Sequence, residues 1–244
     1  GDADRVILMD ENGHLIDGDH MLAILADALH QQHKLLANTL VTTVMANGSL
    51  HQYAAEHNFE LIQTPVGDKY VSDALLALTA ESDPEGKLGL GGEQSGHIIL
   101  LDKSHRTGDG LRTAVFMLQV LLQQEQPSLA ALASRIQKYP QLVASCNVAS
   151  KLDLQTMAPL QAKLDEIKHR LPGLVQLNSR YSGTEPKYRL MIETDTRHST
   201  HELAVICWEV CDVVQRETGT PPGAKIEVLN ASAGGLVPRP ATEN

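Results

Sequence analysis

A chain of 244 residues with 42% hydrophobic side chains is long enough for one large or two ordinary domains with a real core, which excludes a disordered polymer. A net charge of -10 and a pI near 5.5 exclude a sequence-independent grip on nucleic acid or anionic lipid, so any phosphorylated ligand needs a local cationic pocket. No apolar run reaches the roughly 18 to 20 residues of a membrane span, no basic-then-apolar leader opens the chain, and three cysteines without a CxxC pair predict reduced, buried thiols. The expectation is a soluble, cytoplasmic protein with no nucleic-acid or membrane partner. Because the chain begins on Gly1 and runs almost at once into a strand-like segment, it reads as part of a longer one.

In chain order, Val6 to Met9 is a short apolar run, and Asn12-Gly13 supplies a type I′ turn signal before Leu15-Ile16, which predicts a β-hairpin. Met21, Ile24, Leu25, Ala28 and Leu29 then recur at steps of three and four, predicting a helix capped by Asp17 or Asp19. A strand over 40–44, a helix over 48–57, a strand over 59–62 and a helix over 68–78 follow. That alternation is βαβ arithmetic and points to a largely parallel sheet. After a strand over 98–101, a helix over 110–124 is predicted with Leu111, Ala114, Val115, Leu118, Leu121 and Leu122 as its inner stripe. Ser128 caps a further helix that ends near Tyr139-Pro140, where proline suits a boundary.

Beyond Pro140 the pattern restarts: a strand over 142–148, a helix through Met157, Leu160, Leu164, Ile167 and Leu171, and strands over 174–177 and 188–193. A last helix opens on a capping box, Ser199 with Glu202, and buries Leu203, Ile206, Val210 and Val214. From Thr218, the Thr220-Pro221-Pro222-Gly223 run and the Ala/Gly/Ser/Pro-rich sequence after it predict a mobile tail over 218–244. The fold class is therefore α/β: one α/β sandwich domain with a largely parallel sheet, over 17–140, plus a smaller α+β C-terminal domain over 141–217. No internal repeat is visible, and the sequence carries no signal for an oligomeric state.

Three motifs bear chemistry. In Gly1-Asp2-Ala3-Asp4-Arg5, alternate residues of an extended loop place two carboxylates on one side, the oxygen donors that a hard divalent cation wants; a solvated acidic turn is the bland alternative. Asp10, Asn12, Gly13 and Asp19 partly mimic a calcium loop, but Leu8 stands where its first ligand should be. In Gly91-Gly92-Glu93-Gln94-Ser95-Gly96-His97, a glycine-flanked cluster at the entrance to a strand presents a carboxylate, a hydroxyl and an imidazole together, groups suited to sugar hydroxyls, with an ordinary polar turn as the bland alternative. In Arg180-Tyr181-Ser182-Gly183-Thr184-Glu185-Pro186, followed by Arg189, two guanidinium groups, two hydroxyls and the amides around Gly183 make a phosphate nest, with a turn carrying a surface salt bridge from Glu185 as the bland alternative. Strand alternation puts Tyr188, Leu190 and Ile192 on one face and Arg189 on the other. The loop Thr64-Pro65-Val66-Gly67-Asp68-Lys69-Tyr70 enters a helix with a lysine at its dipole-unfavourable end; that lysine either faces an anion or is simply solvated.

Taken in order, these motifs resemble those of the α-D-phosphohexomutase superfamily over nearly the whole chain up to Glu217, and their wording is similar to its phosphoglucosamine mutase branch more than to phosphomannomutases or phosphoglucomutases. The resemblance implies Asp2 and Asp4 as Mg2+ ligands and Arg5 as a catalytic residue orienting the transferring phosphoryl group. It implies Asp68, Lys69, Glu93, Ser95 and His97 as substrate-binding residues around the sugar, and Arg180, Ser182, Gly183, Thr184 and Arg189 around the phosphate that is not transferred. The implied substrate is a hexosamine or hexose phosphate, held in a cleft between two lobes. Lys69 stands where that branch has arginine, and a point charge is not a planar fork. Tyr181 and Lys187-Tyr188 also depart from the usual small or aliphatic neighbours. By the same resemblance, 1–16 would be a remnant of a metal-loop domain whose first aspartate precedes Gly1, and the phosphoserine of a Ser-His-Asn-Pro loop would lie outside this chain. Ser104-His105 is followed by Arg106 and is no substitute. These residues alone would then not turn over. A stand-alone phosphosugar-binding module is the reading from a different class.

Overall fold

The computed structural model describes residues 2–81 and 85–240, so Gly1 of the acidic motif and the last four residues of the expected tail lie outside the described residues. It divides into two compact units, Gly1–Lys138 and Tyr139–Asn244.

The first unit opens on a hairpin of β1 (Leu8–Met9) and β2 (Leu15–Ile16), followed by α1 (Gly18–Gln31), β3 (Leu35–Thr43), α2 (Ser49–Glu56), β4 (Glu60–Thr64) and α3 (Asp68–Glu81). It continues through β5 (Leu88–Gly92), β6 (Ile98–Leu101), α4 (Gly110–Leu122) and α5 (Leu129–Ala133). The sheet order is β4-β3-β5-β6, with β3 parallel to both neighbours and β6 antiparallel at the edge. Side chains alternate across this sheet. Leu40, Leu90, Ile98 and Leu100 enter one core with α1 and Met117 of α4, while Val41, Ile99 and Leu101 enter another with Val71 and Leu75 of α3. Two apolar faces, each covered by helices, are what a largely parallel sheet requires.

Several expectations need correction in this unit. The opening turn is not type I′, which needs two left-handed residues. Only Gly13 takes positive φ, at 85°, while the Asp10 carboxylate accepts from the N–H groups of Asn12 and His14 and holds a wider turn. Strand β3 begins at Leu35 because a register shift, with left-handed Ala37 and Asn38, breaks the alternation before Leu40. Strand β5 was hidden by its three glycines, so the glycine-flanked motif is the turn of a β5–β6 hairpin rather than the entrance to a single strand. Helix α5 ends at Ala133, well short of Tyr139.

Most of the predicted inner stripe of α4 faces outward: Leu111, Leu118 and Leu122 are 74%, 56% and 73% exposed, Leu121 packs against the core, and the buried side chains are those of Thr113, Met117 and Val120. Apolar residues run nearly all round this helix, so periodicity does not fix its phase. Polar anchors do: Asp109 caps the N-terminus, and Arg112 donates to the Leu100 carbonyl and the Asp102 carboxylate, both at 2.6 Å.

The second unit holds β7 (Gln141–Asn147), α6 (Ala158–Arg170), β8 (Leu174–Tyr181), β9 (Lys187–Thr194), α7 (Thr200–Glu217) and β10 (Ile226–Asn230). Its sheet is antiparallel throughout, in the order β10-β7-β9-β8. Helices α6 and α7 bury Leu160, Leu164, Leu203, Val210 and Val214 with Leu142, Leu190 and Ile192 of the sheet. The capping box of Ser199 and Glu202 is formed in full. The three cysteines are free and buried, and burial pushes the Cys207 thiol up to about 12, which keeps it protonated.

The mobile tail is overturned as far as the chain is described. Strand β10 pairs with β7, Val228 is buried, the Val237 N–H bonds to the Val228 carbonyl, and Arg239 pairs with Asp212 while lying 5.2 Å over the Trp208 ring. The Pro221-Pro222-Gly223 run that reads as a disordered signal is the turn that returns the chain to the sheet edge, with the Ala224 N–H on the Pro221 carbonyl.

Candidate functional site

The first unit gathers the acidic loop and the glycine-flanked turn at one end of the β5–β6 hairpin. Within the turn, Glu93 N–H donates to the His97 carbonyl, and Gly96 N–H donates to that of Glu93. Gly96 has φ 86° and lies so close to Val6, whose N–H donates to its carbonyl at 3.1 Å, that a Cβ would sit 2.1 Å from the Val6 oxygen. Only glycine permits that approach. The Gly110 N–H reaches the Ala3 carbonyl at 2.9 Å, which fastens the acidic loop to the start of α4.

Ala3 is left-handed, with φ 57°, so Asp2 and Asp4 are brought together by a turn rather than by the extended loop expected. The imidazole expected beside Glu93 and Ser95 is turned inward instead: His97 is 3% exposed and its Nδ1 lies 3.1 Å from Asp4 Oδ2. Desolvation would raise the Asp4 carboxyl, but hydrogen bonding with Asp2 and His97 outweighs it and holds that group below its usual range. Arg5, the next residue, pairs loosely with Asp4 at 3.7 Å and stays exposed. Two neighbouring carboxyl groups offer the oxygen donors that a hard cation such as Mg2+ takes. They are a pair only: the described residues contain no group of three or more His, Cys, Asp or Glu side chains placed to hold a metal.

Glu93 is half-buried, and its Oε1 accepts from the Gly67 N–H at 3.2 Å, which brings the loop before α3 to the glycine-flanked turn. Asp68 accepts from the Lys69 N–H; Lys69 and Ser95 are exposed, and Lys69 has no ion-pair partner among the described residues. Beneath the turn lies a buried ionic cluster that sequence reasoning missed. Lys138, only 4% exposed in its side chain, pairs with Asp17 and, at 3.0 Å, with the fully buried Asp19. Asp19 Oδ2 also accepts from Gln94 Nε2 at 3.0 Å and from the Asn47 N–H, and the Gly18 N–H donates to the Gln94 carbonyl. The cluster thus holds the turn from below. Asp17 and Asp19 were visible only as helix caps, and nothing local in the sequence joins them to a lysine that far along the chain.

The second unit carries the phosphate motif. Strand β8 runs to Tyr181, past its predicted end, so Arg180 is a strand residue directly opposite Arg189 of β9. Burial, and then the like charge of Arg189, lowers the affinity of Arg180 for its proton, and Arg180 has no counter-ion among the described residues. Arg189 and Lys187 instead pair with Glu185, at 3.2 and 2.7 Å. Ser182 is buried and its Oγ accepts from the Glu185 N–H, while Gly183 and Thr184 are exposed with amides that donate to nothing among the described residues. The site is a turn with free amides, not an alternating nest, because Gly183 does not take positive φ.

A cavity of about 1070 Å³ in the first unit, lined by Leu25, Leu29, Leu88, Phe116, Lys103 and Arg106 among others, contains none of the predicted site residues. No helix among the described residues is long and apolar enough to cross a membrane.

The described residues form a helix-covered α/β sheet unit followed by a second, antiparallel unit in which Arg180 faces Arg189. Residues 17–139 match the family model described as phosphoglucomutase/phosphomannomutase, alpha/beta/alpha domain III, and the chain belongs to that family. It is 38% identical over 219 residues to the phosphoglucosamine mutase of Pelobacter propionicus, covering 90% of this chain and 46% of that protein. It is 41% identical over 199 residues to that of Symbiobacterium thermophilum, covering 81% and 42%. The chain therefore spans just under half the length of these curated relatives. Among solved structures, a phosphoglucomutase/phosphomannomutase family protein from Burkholderia thailandensis shares the fold with TM-score 0.62 at 20% identity, covering 93% of this chain and 46% of that one. The open form of parafusin, a phosphoglucomutase from Paramecium, matches with TM-score 0.65 at 16% identity, covering 93% and 46%.

Proposed function

We propose that this chain supplies the sugar- and phosphate-recognising parts of a phosphoglucosamine mutase, interconverting glucosamine 6-phosphate and glucosamine 1-phosphate through a phosphoserine that these residues do not include. The observation that carries the reading is Arg180: a half-buried guanidinium set against a like charge, without a counter-ion among the described residues, in a segment whose Gly183 and Thr184 amides donate to none of them. Like charges held together cost energy unless an anion joins them. Such a site reads charge and tetrahedral shape rather than the point of attachment, so it suits either end of a hexose phosphate.

In this account Arg180, Arg189, Ser182, Thr184 and the Gly183 amide hold the phosphate that stays, and Glu93 and Ser95 bind sugar hydroxyls, with Asp68 and Lys69 beside them. His97 keeps Asp4 ionised and oriented, and Arg5 orients the phosphoryl group in transit. Magnesium on Asp2 and Asp4 would spread the charge of that group, the main demand that phosphoryl transfer makes of a protein. The alignment with phosphoglucosamine mutases over 90% of the chain favours the amino sugar over glucose or mannose. The buried, free thiols favour a cytoplasmic setting.

The test separates the two halves. Titrated with glucosamine 6-phosphate and with inorganic phosphate, Glu93→Ala is expected to weaken the sugar phosphate about tenfold and leave phosphate untouched, as loss of a charge-assisted hydrogen bond would. Arg180→Ala weakens both. Equal sugar-phosphate affinity in Glu93→Ala and wild type removes Glu93 from the site, and turnover of hexosamine phosphates by the purified chain would overturn the role assigned to an outside serine.

A further inference from the structure

We infer that Lys151, which none of the three motifs contains, is a positioning residue of the phosphate loop: by holding the Ser182 carbonyl, its ammonium aims the Gly183 amide at the bound anion. The inference rests on the reading of residues 180–189 as a phosphate site.

Pairing between β7 and β9 continues past the end of β7, where the Val148 N–H donates to the Pro186 carbonyl at 3.0 Å. Residues 148–151 therefore run beside the loop, and Lys151 Nζ donates to Ser182 O at 2.6 Å. A peptide group is planar and trans, so its C=O and N–H point in opposite directions. Fixing the Ser182 oxygen on the Lys151 side turns the Gly183 N–H to the other side. The rest of the loop is tied in the same sense, with Ser182 N–H on the Lys187 carbonyl and Lys187 N–H on that of Glu185. The Gly183 and Thr184 amides are left to face outward. A cation on the carbonyl also polarises the peptide and makes its N–H a stronger donor.

Two further observations point the same way. Nothing among the described residues demands glycine at 183: its φ is not positive and no atom lies within 4 Å of where a Cβ would be, so the loop is open to a ligand at that residue. Lys151 has no carboxylate partner among the described residues, so its charge is spent on the loop and not on a surface ion pair.

The experiment follows the Gly183 amide of the isotopically labelled chain by NMR during titration with inorganic phosphate, in wild type, Lys151→Met, Lys151→Arg and Arg180→Ala. Wild type is expected to show a saturable downfield shift of Gly183. Lys151→Met should weaken phosphate about tenfold and abolish the Gly183 shift with an unchanged melting temperature, and Lys151→Arg should restore both. Wild-type affinity and shift in Lys151→Met, with binding lost in Arg180→Ala, overturns the inference and spares the phosphate site. Weaker binding with the Gly183 shift retained makes Lys151 a mere surface charge and also overturns it. A wild-type chain that takes up no phosphate overturns both.

Discussion

Lys138 shows what one buried charge does in this chain. Desolvation opposes its proton, but Asp19 and Asp17 hold its pKa above the usual lysine value; burial in turn holds the Asp19 carboxyl above its own despite Lys138. Lys138→Met leaves two buried carboxylates without their cation and is expected to cost about 3–5 kcal/mol of stability in chemical denaturation. A loss below about 1 kcal/mol would mean the cluster is wet and open. Asp102 gives the pH-dependent case. Burial works against its ionised form, yet bonds from Ser104, His105 and Arg112 hold its carboxyl well below the usual range. A depressed folded pKa stabilises the protein above the unfolded value, near 4, and that stability is lost as pH falls through the lower folded value. Asp102→Asn should therefore cost about 1–3 kcal/mol at neutral pH, with the gap to wild type narrowing as pH drops below about 4. A gap that stays constant down to pH 2 would remove the ionised carboxylate as its cause.

At the scale of elements, α4 separates apolar pattern from burial. Met117, 2% exposed, faces the core, whereas Leu118, 56% exposed, faces away. Met117→Asp should be severely destabilising, by about 3 kcal/mol or more, and Leu118→Asp close to neutral; thermal melts of the two variants in the reverse order would restore the stripe read from periodicity. Strand β10 makes a second case: Val228→Asp, at a 1% exposed position, should lower the melting temperature, and a tail that was truly mobile would be indifferent. Elements with one dominant signal were legible in the sequence, such as α7 with its capping box and β9 with strict alternation at Tyr188, Leu190 and Ile192. Those whose signals conflict were not. Glycines disguised β5, a Pro-Pro-Gly turn disguised β10, and an all-round apolar surface left the phase of α4 to Arg112 and Asp109.

For the molecule as a whole, the candidate site was legible where its residues are contiguous, because a turn such as 93–97 or 182–186 is specified locally and written in one short word. What supports those turns was not legible. Lys138 under the 93–97 turn, Gly67 on Glu93, His97 on Asp4 and Lys151 on Ser182 are meetings of distant segments that only the fold creates. Each unit has its own sheet and core, and the proposed function assigns each one kind of recognition chemistry, hydroxyl-reading to the first and anion-binding to the second. The account depends most on the second. Calorimetric titration of the chain with glucosamine 6-phosphate tests it directly: Arg180→Ala should weaken binding by about 2–5 kcal/mol, as removal of a desolvated ionic contact does. An Arg180→Ala chain that binds the sugar phosphate as tightly as wild type would contradict it.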